Sequence, residues 1–515
     1  MDISTIQKIT NKRQQAAEFR KNGQTNKAIE LLRSACLKWP NNPAFIADLA
    51  SAYSEISDFK QSEKCLHKML ELSSSDPETL RFVADMRYSM RRIDSALSNY
   101  KELTAALPST KALESQLKTV EILERQGRLN EAHETLERAL KLDPKSEHGR
   151  FLHAVLKFRS AKFEDAEQEL CDLLGSGLQD REIHWKAGHQ LATVLDKKGE
   201  HQDAALVLQA SKAGMENDYA KEIKMSRDAF RLKSQSIKQL TSQLTRADIE
   251  RWRAENEDTF PAAVLAGHPR SGTTLLESIL DRHSGVVSVE ETTCMEDEIF
   301  RSVFGVAAAK PELFDIDFLN QVPKSSRMQA RKSYLNSARQ FLVNPPDSNQ
   351  LILDKNPMLT HFLAVGLRFF PQMKSIVALR DPRDICLSCY QQPVGVMTSN
   401  VSWLRVEDTM NAYNDIMGVW LRLKEILPDG WIEVRYEDLV TNTETVAKQV
   451  VDFLELPWEE DILVVPDRGR TIFSPTYADA AKPVYRSAMR RWESYEELLA
   501  PHLSILQPSI DALGY

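Results

Sequence analysis

The sequence predicts two unlike halves: an all-α repeat array, then an α/β domain with a mostly parallel sheet. Three observations predict this. A small residue returns at Ala28, Ser62, Ala96, Ala132, Ala166 and Ala204, at intervals of 34 to 38 residues. The pattern changes at Pro261. After it, the apolar run 262–267, of strand length, enters a turn in which Gly267 and Gly272 enclose four residues. That G-x-x-x-x-G spacing between a strand and a helix is the geometry of a phosphate-binding P-loop. The chain of 515 residues has ordinary globular composition and a net charge of −8, so no global basic field favours nucleic acid. Six cysteines spread over this length suit a reducing compartment.

Residues 1–214 are expected to form the array, in about six units. Each small residue sits five positions after a turn-like pair, inside a segment with apolar residues at helical spacing. Examples are KNGQTNKAIELLRSACLKWP and RQGRLNEAHETLERALKLDP. Gly23, Gly127 and Gly199 supply permissive turns, and Pro40, Pro108 and Pro144 end second helices. A period near 34 with these features resembles the tetratricopeptide (TPR) repeat. Such stacked pairs form an extended surface for peptides or proteins, and they also serve as dimer contacts. Residues 215–257, charged and helix-prone, read as a helical connector capping the array.

Residues 258–515 form the second unit. Backbone N–H groups of the turn after Gly267, with the following helix N-terminus, suit an anion with several oxygens. A nucleoside triphosphatase would carry Lys where Thr273 stands; here the positive charge is Arg270, inside the loop, which argues against triphosphate hydrolysis. The string GHPRSGTTL resembles the 5′-phosphosulfate loop of sulfotransferases that use 3′-phosphoadenosine 5′-phosphosulfate (PAPS). The segment SIVALRDPRDICLSCY, with Arg380 and Ser388 eight apart, resembles their 3′-phosphate motif. The late segment SPTYADAAKPVYRSAMRRWESY is similar to that of tyrosylprotein sulfotransferases and of TPR-linked bacterial sulfotransferases.

The resemblance implies PAPS as co-substrate, held by Arg270, Ser271, Gly272, Thr273, Thr274, Arg380, Ser388, Tyr436 and Arg491. It implies Thr476 over the sulfuryl group, Lys355, in LILDKNP, as the catalytic lysine, and a catalytic part for Arg270 as well. It also implies Glu291 as base, because its separation from Arg270 matches the family's; the adjacent Glu290 is the nearest competitor. Val289 replaces a family glycine, and Gln392 stands where tyrosylprotein sulfotransferases carry a further arginine. His268 and His283 are weaker base candidates. Cys386 and Cys389 form a lone CxxC and read as packing thiols, and no residue pattern argues for a metal.

The expectation is a sulfotransferase moving the sulfuryl group from PAPS to an acceptor hydroxyl, such as a tyrosine in a peptide or protein recruited by the array. Two alternatives stay open. One is an enzyme for carbohydrate, lipid or small-molecule hydroxyls with the array used for homodimerisation. The other is a non-catalytic TPR interaction protein. The N-terminus lacks the apolar core of a signal peptide, and no apolar run approaches the roughly 18–20 residues of a membrane span, so a cytoplasmic location is expected.

Overall fold

The computed structural model describes residues 3–108, 111–255, 260–305, 311–342, 350–395, 400–464 and 488–515. Its first part is a series of antiparallel helix pairs. The pairs are Ile3–Lys21 with Thr25–Lys38, Pro43–Glu55 with Phe59–Ser73, and Pro77–Ser89 with Ile93–Ala106. Leu113–Arg125 with Leu129–Leu142, Glu147–Arg159 with Phe163–Gly175, and Arg181–Lys198 with His201–Asp218 follow.

The recurring small residue is the fourth residue of every second helix, and at all six places it is buried. A larger side chain there would separate the pair, since interiors leave no slack for added methylenes. Ser62 keeps the size constraint and donates its hydroxyl proton to Ala50 O at 2.9 Å, so its polar atom is satisfied. Two residues before each second helix the backbone is left-handed: Gly23, Ser57, Arg91, Gly127, Ala161 and Gly199. Glycine occupies three of these six positions, which is why the turn signal was visible in only half of the units. This tetratricopeptide-like geometry agrees with the sequence reading.

The second part is built on a five-stranded sheet: β1 (Ala262–Gly267), β2 (Val286–Glu290), β3 (Leu351–Lys355), β4 (Lys374–Leu379) and β5 (Trp431–Arg435). The order is β2-β3-β1-β4-β5 and every pairing is parallel. Helices cover both faces. Val264, Ala266, Val289, Ile352 and Val377 pack on one side, Ala263, Leu265, Leu353, Ile376 and Val434 on the other. The central β1 lies between β3 and β4, so the chain changes direction across the sheet at β1. The carboxyl ends on either side of such a reversal open the crevice where α/β sheets bind ligands.

Two features differ from the sequence reading. The connector does not only cap the array: Ile237, Leu240, Ile249 and Trp252 are buried in the same core as Val264 and Val377. The array also touches the sheet domain at two places. Phe59 meets Phe341 edge-on at 4.8 Å between ring centres. His189 Nε2 donates to Gln391 O at 3.0 Å, and Lys212 Nζ donates to Gln392 O and Trp403 O at 3.2 and 2.7 Å. Among the described residues, no helix is long and apolar enough to cross a membrane.

Replacing Ala132 with Leu is expected to cost roughly 1–3 kcal/mol through overpacking of the fourth pair. A urea titration followed by circular dichroism measures it, and an unchanged midpoint would reject the close-packing role.

Candidate active site

Each strand of the sheet ends on or beside a residue singled out from the sequence. β1 ends at Gly267, β2 at Glu290, β3 at Lys355, β4 one residue before Arg380, and β5 one residue before Tyr436. The parallel register sets Gly267 beside Ala378, Glu290 beside Lys355 and Leu379 beside Arg435. Residues that are up to 169 positions apart in sequence, from Gly267 to Tyr436, thereby share one edge.

The turn after β1 needs its two glycines for reasons of space. A Cβ on Gly267 would lie 2.5 Å from Ala378 O, and one on Gly272 would lie 2.6 Å from the Tyr436 ring. Both also have positive φ, +147° and +93°, which L side chains rarely adopt. Thr360 clamps the start of the turn, accepting from Gly267 N at 2.7 Å and donating to Gly267 O at 2.6 Å. Arg270, itself left-handed at φ +73°, projects from the turn.

The two phosphate motifs meet through space. Arg270 Nε donates to Ser388 Oγ at 3.0 Å, and Arg380 Nη1 donates to Arg270 O at 3.1 Å. The Arg380 guanidinium lies over the Tyr436 ring, 4.9 Å from its centre, in cation–π geometry. Asp384, buried in the helix Pro382–Tyr390, stands 3.6 Å from Arg380 and accepts from the backbone N–H groups of Arg490 and Trp492. Burial pushes the Asp384 carboxyl up, and Arg380 opposes that shift. Among the described residues, two buried polar atoms here, Ser271 Oγ and Arg380 Nε, have no hydrogen-bond partner. Buried orphans of this kind are rare because each carries a desolvation cost, and a phosphate oxygen accepting from them would remove it.

The second cluster surrounds Lys355, which has no exposed surface. Its ammonium group stands 2.9 Å from Glu291 Oε1, 3.3 Å from Glu290 Oε1 and 3.4 Å from Glu277 Oε2. Burial lowers its pKa, but the three carboxylates outweigh burial and raise it, so the lysine is held as a cation. Ser288 donates to Glu277 Oε1 at 2.5 Å. The two candidate bases differ in access: the Glu290 side chain is 4% exposed and the Glu291 side chain 34%. Glu291 has a left-handed backbone, φ +46°, and its N–H donates to Lys355 O at 2.6 Å. Beside Lys355, burial pushes the Asp354 carboxyl up to about 7, against the hydrogen bond from Tyr334.

Arg491, His268 and His283 are engaged elsewhere than their expected roles require. Arg491 turns its guanidinium to Asp196 of the array at 2.5 Å, where Tyr495 also donates at 2.6 Å, and not to the turn after β1. The carboxylate on the helix Arg181–Lys198 supplies the nearer counter-charge. Thr476 lies outside the described residues. His268 and His283 are both buried and engaged, through Pro269 O for the first and Pro457 O and Gly285 N for the second. Burial holds the His268 imidazole down at about 4. Thr273 and Thr274 open the helix Thr273–Leu280 that follows the turn. Cys386 and Cys389 are buried free thiols whose pKa values burial pushes up. Sequence reasoning missed Glu277 and Thr360; an acid amid the apolar LLESIL was the one signal available for Glu277.

Residues 261–460 match the sulfotransferase family model. This region is a sulfotransferase-family domain. A protein of Aquifex aeolicus (strain VF5) described as uncharacterized is 26% identical over 404 residues, covering 76% of this chain and 50% of its own length. The chain therefore spans half of that relative. Protein-tyrosine sulfotransferase 1 of Danio rerio is 24% identical over 276 residues, 50% of this chain and 73% of that protein. Among solved structures, the sulfotransferase domain from the curacin biosynthetic pathway matches at TM-score 0.30 and 18% identity, covering 49% of this chain and 97% of that chain. Pseudomonas aeruginosa pilF matches at TM-score 0.30 and 18% identity, covering 41% and 92%.

In the sulfotransferase domain, the raised Asp354 pKa makes the native state bind more protons than the unfolded chain between about pH 4 and pH 7. Stability from this group is therefore lost as pH rises through that window. Asp354→Asn keeps an acceptor for Tyr334 and is expected to raise Tm at about pH 8 while changing it little at about pH 4. Thermal melts at the two pH values check this, and an equal loss at both would overturn it.

Proposed function

We propose that the protein transfers a sulfuryl group from PAPS to an acceptor hydroxyl. The observation that carries this reading is the contact of Arg270 with Ser388 and of Arg380 with the Arg270 carbonyl, at the sheet edge that also bears Lys355 and Glu291. Two guanidinium groups, a turn seated by its glycines against β4 and Tyr436, and orphaned donors at Ser271 and Arg380 fit a nucleotide with phosphate at both ribose ends.

In this reading Arg270, Ser271, Gly272, Thr273 and Thr274 hold the 5′ side of the nucleotide. Arg380 and Ser388 hold its 3′-phosphate, and Tyr436 backs both Gly272 and Arg380. Arg491 joins the set only by releasing Asp196. Thr476 is assigned to the sulfuryl group by resemblance alone. The donor supplies an activated S–O bond, and what remains for the protein is alignment, charge and one proton. Glu291, the accessible carboxylate, takes the proton of the acceptor hydroxyl as the new S–O bond forms. Lys355, kept charged by its three carboxylates, is assigned by resemblance to the negative charge that develops on the departing phosphate oxygen. Glu290 and Glu277 are too buried to meet an acceptor and act by keeping Lys355 charged.

A tyrosine in a peptide or protein is the proposed acceptor, supported by the protein-tyrosine sulfotransferases among the relatives and by a tetratricopeptide-like array beside the site. Transfer of labelled sulfate to a panel of tyrosine peptides, carbohydrates and phenols tests acceptor and activity together. Turnover on carbohydrates alone would remove the tyrosine reading, and none on any acceptor would remove the enzyme.

Two substitutions test the roles. Arg270→Ala is expected to weaken calorimetric binding of adenosine 3′,5′-bisphosphate by roughly 1.5–3 kcal/mol, the range for hydrogen bonds to charged groups. Glu291→Gln is expected to bind that nucleotide normally and lose about 10²–10⁴-fold in turnover. If Glu290→Gln abolished turnover while Glu291→Gln kept it, the base would be the neighbouring glutamate.

A further inference from the structure

Arg91 of the array reaches the base segment. Arg91 follows the helix Pro77–Ser89, at the left-handed position that precedes each second helix, with φ +62°. Glycine holds the same position at 23, 127 and 199. A left-handed non-glycine residue costs roughly 1–2 kcal/mol, so arginine here is a local liability for the turn. Its side chain leaves the array and crosses to the sulfotransferase domain. Nη1 donates to Glu290 O at 2.6 Å and Nη2 to Glu291 O at 3.3 Å. The guanidinium lies over the Phe341 ring, 5.4 Å from its centre, and Phe341 packs against Phe59 of the array. Burial lowers the Arg91 pKa, and Glu290 and Glu291 oppose that shift.

Glu291 is pinned from two directions. Its N–H is held by Lys355 O within the sheet domain, and its carbonyl and that of Glu290 are held by Arg91 from the array. Glu291 has a left-handed backbone without being glycine, so its conformation must be imposed by its surroundings. The carbonyl side of that restraint comes from a different part of the chain than the carboxylate it orients.

We propose that Arg91 is a positioning residue for the sulfuryl-transfer site, which sets the Glu290–Glu291 backbone so that the Glu291 carboxylate is held at Lys355. The array is then a structural part of the active site as well as a surface for partners. This inference rests on the reading of Glu291 as base, and its test separates the two.

The informative variant is Arg91→Gly in the full chain, because the turn already accepts glycine in three other units. Its thermal stability is expected to stay within a few degrees of the parent, since the relieved left-handed strain offsets lost contacts. Calorimetric binding of adenosine 3′,5′-bisphosphate is expected to be unchanged within about twofold. With PAPS and p-nitrophenol or a tyrosine peptide, kcat is expected to fall roughly 10- to 100-fold, the scale of a misplaced catalytic group, while KM for PAPS holds. Arg91→Lys, which keeps one charged donor, is expected to recover part of kcat. Hydrogen–deuterium exchange across residues 287–293 is expected to rise in Arg91→Gly while residues 262–272 stay protected. Unchanged kcat together with unchanged exchange in 287–293 would overturn the proposal. If the parent protein turned over no acceptor, the proposed activity would fail by itself. Exchange in 287–293 would then decide whether Arg91 restrains this segment.

Discussion

The sulfotransferase domain is organised around one buried cation. Lys355 has no exposed surface and three carboxylates within 3.4 Å. A buried ammonium group is tolerated only when paired and hydrogen-bonded, so Glu277, Glu290 and Glu291 must all arrive at the end of β3. They come from three elements: the helix after the phosphate turn, the last residue of β2, and the bend that follows it. Their convergence requires the parallel order β2-β3-β1, because Glu290 reaches Lys355 by register and Glu277 by the packing of its helix on β1 and β3. The same requirement explains why neither buried glutamate can be exchanged freely: removing one leaves excess charge in a low-dielectric interior.

The half of the candidate site around Arg270 and Arg380 follows a different logic. Here the charge is an excess of cation, from Arg270 and Arg380, with Asp384 set behind Arg380. Close backbone approach at Gly267 and Gly272 keeps the turn against β4 and Tyr436. One sheet edge thus carries a cation-rich cluster beside a carboxylate-rich one, divided by β1 and joined by Thr360, which ties the turn to the segment after Lys355. That division suits a reaction in which an anionic donor and a hydroxyl needing a base must sit side by side.

The array is coupled to both clusters through main-chain carbonyls. Arg91 holds those of Glu290 and Glu291, while His189 and Lys212 hold those of the Gln391–Gln392 turn that follows Ser388. Lys212 is buried, and desolvation lowers its pKa to about 7. Donors from the third and sixth helix pairs therefore set backbone, not side chains, at the edges of the candidate site. Hydrogen bonds to carbonyls fix a loop without engaging the charged side chains of the candidate site.

Much of the fold was legible from short-range pattern. The fourth-residue alanines recur because helix pairs demand a small side chain there, and that demand leaves a period in the sequence. Strand ends were legible for a related reason: apolar runs closed by Gly267, Lys355 and Arg380 mark where a buried strand meets polar work at the sheet edge. Family resemblance added the roles, and the structure brought Arg270, Ser388, Arg380 and Tyr436 together. What tertiary structure alone decided is everything that depends on direction through space. The sequence places Glu290 and Glu291 side by side; only the bend after β2 exposes one and buries the other. It puts Arg491 before a tryptophan; only docking of the array supplies Asp196 to receive it. Arg91 reads as a poor turn residue until its side chain is seen crossing between domains. Local propensity acts over a few residues, whereas these contacts span up to about 300 positions of chain, and only a completed fold can set them.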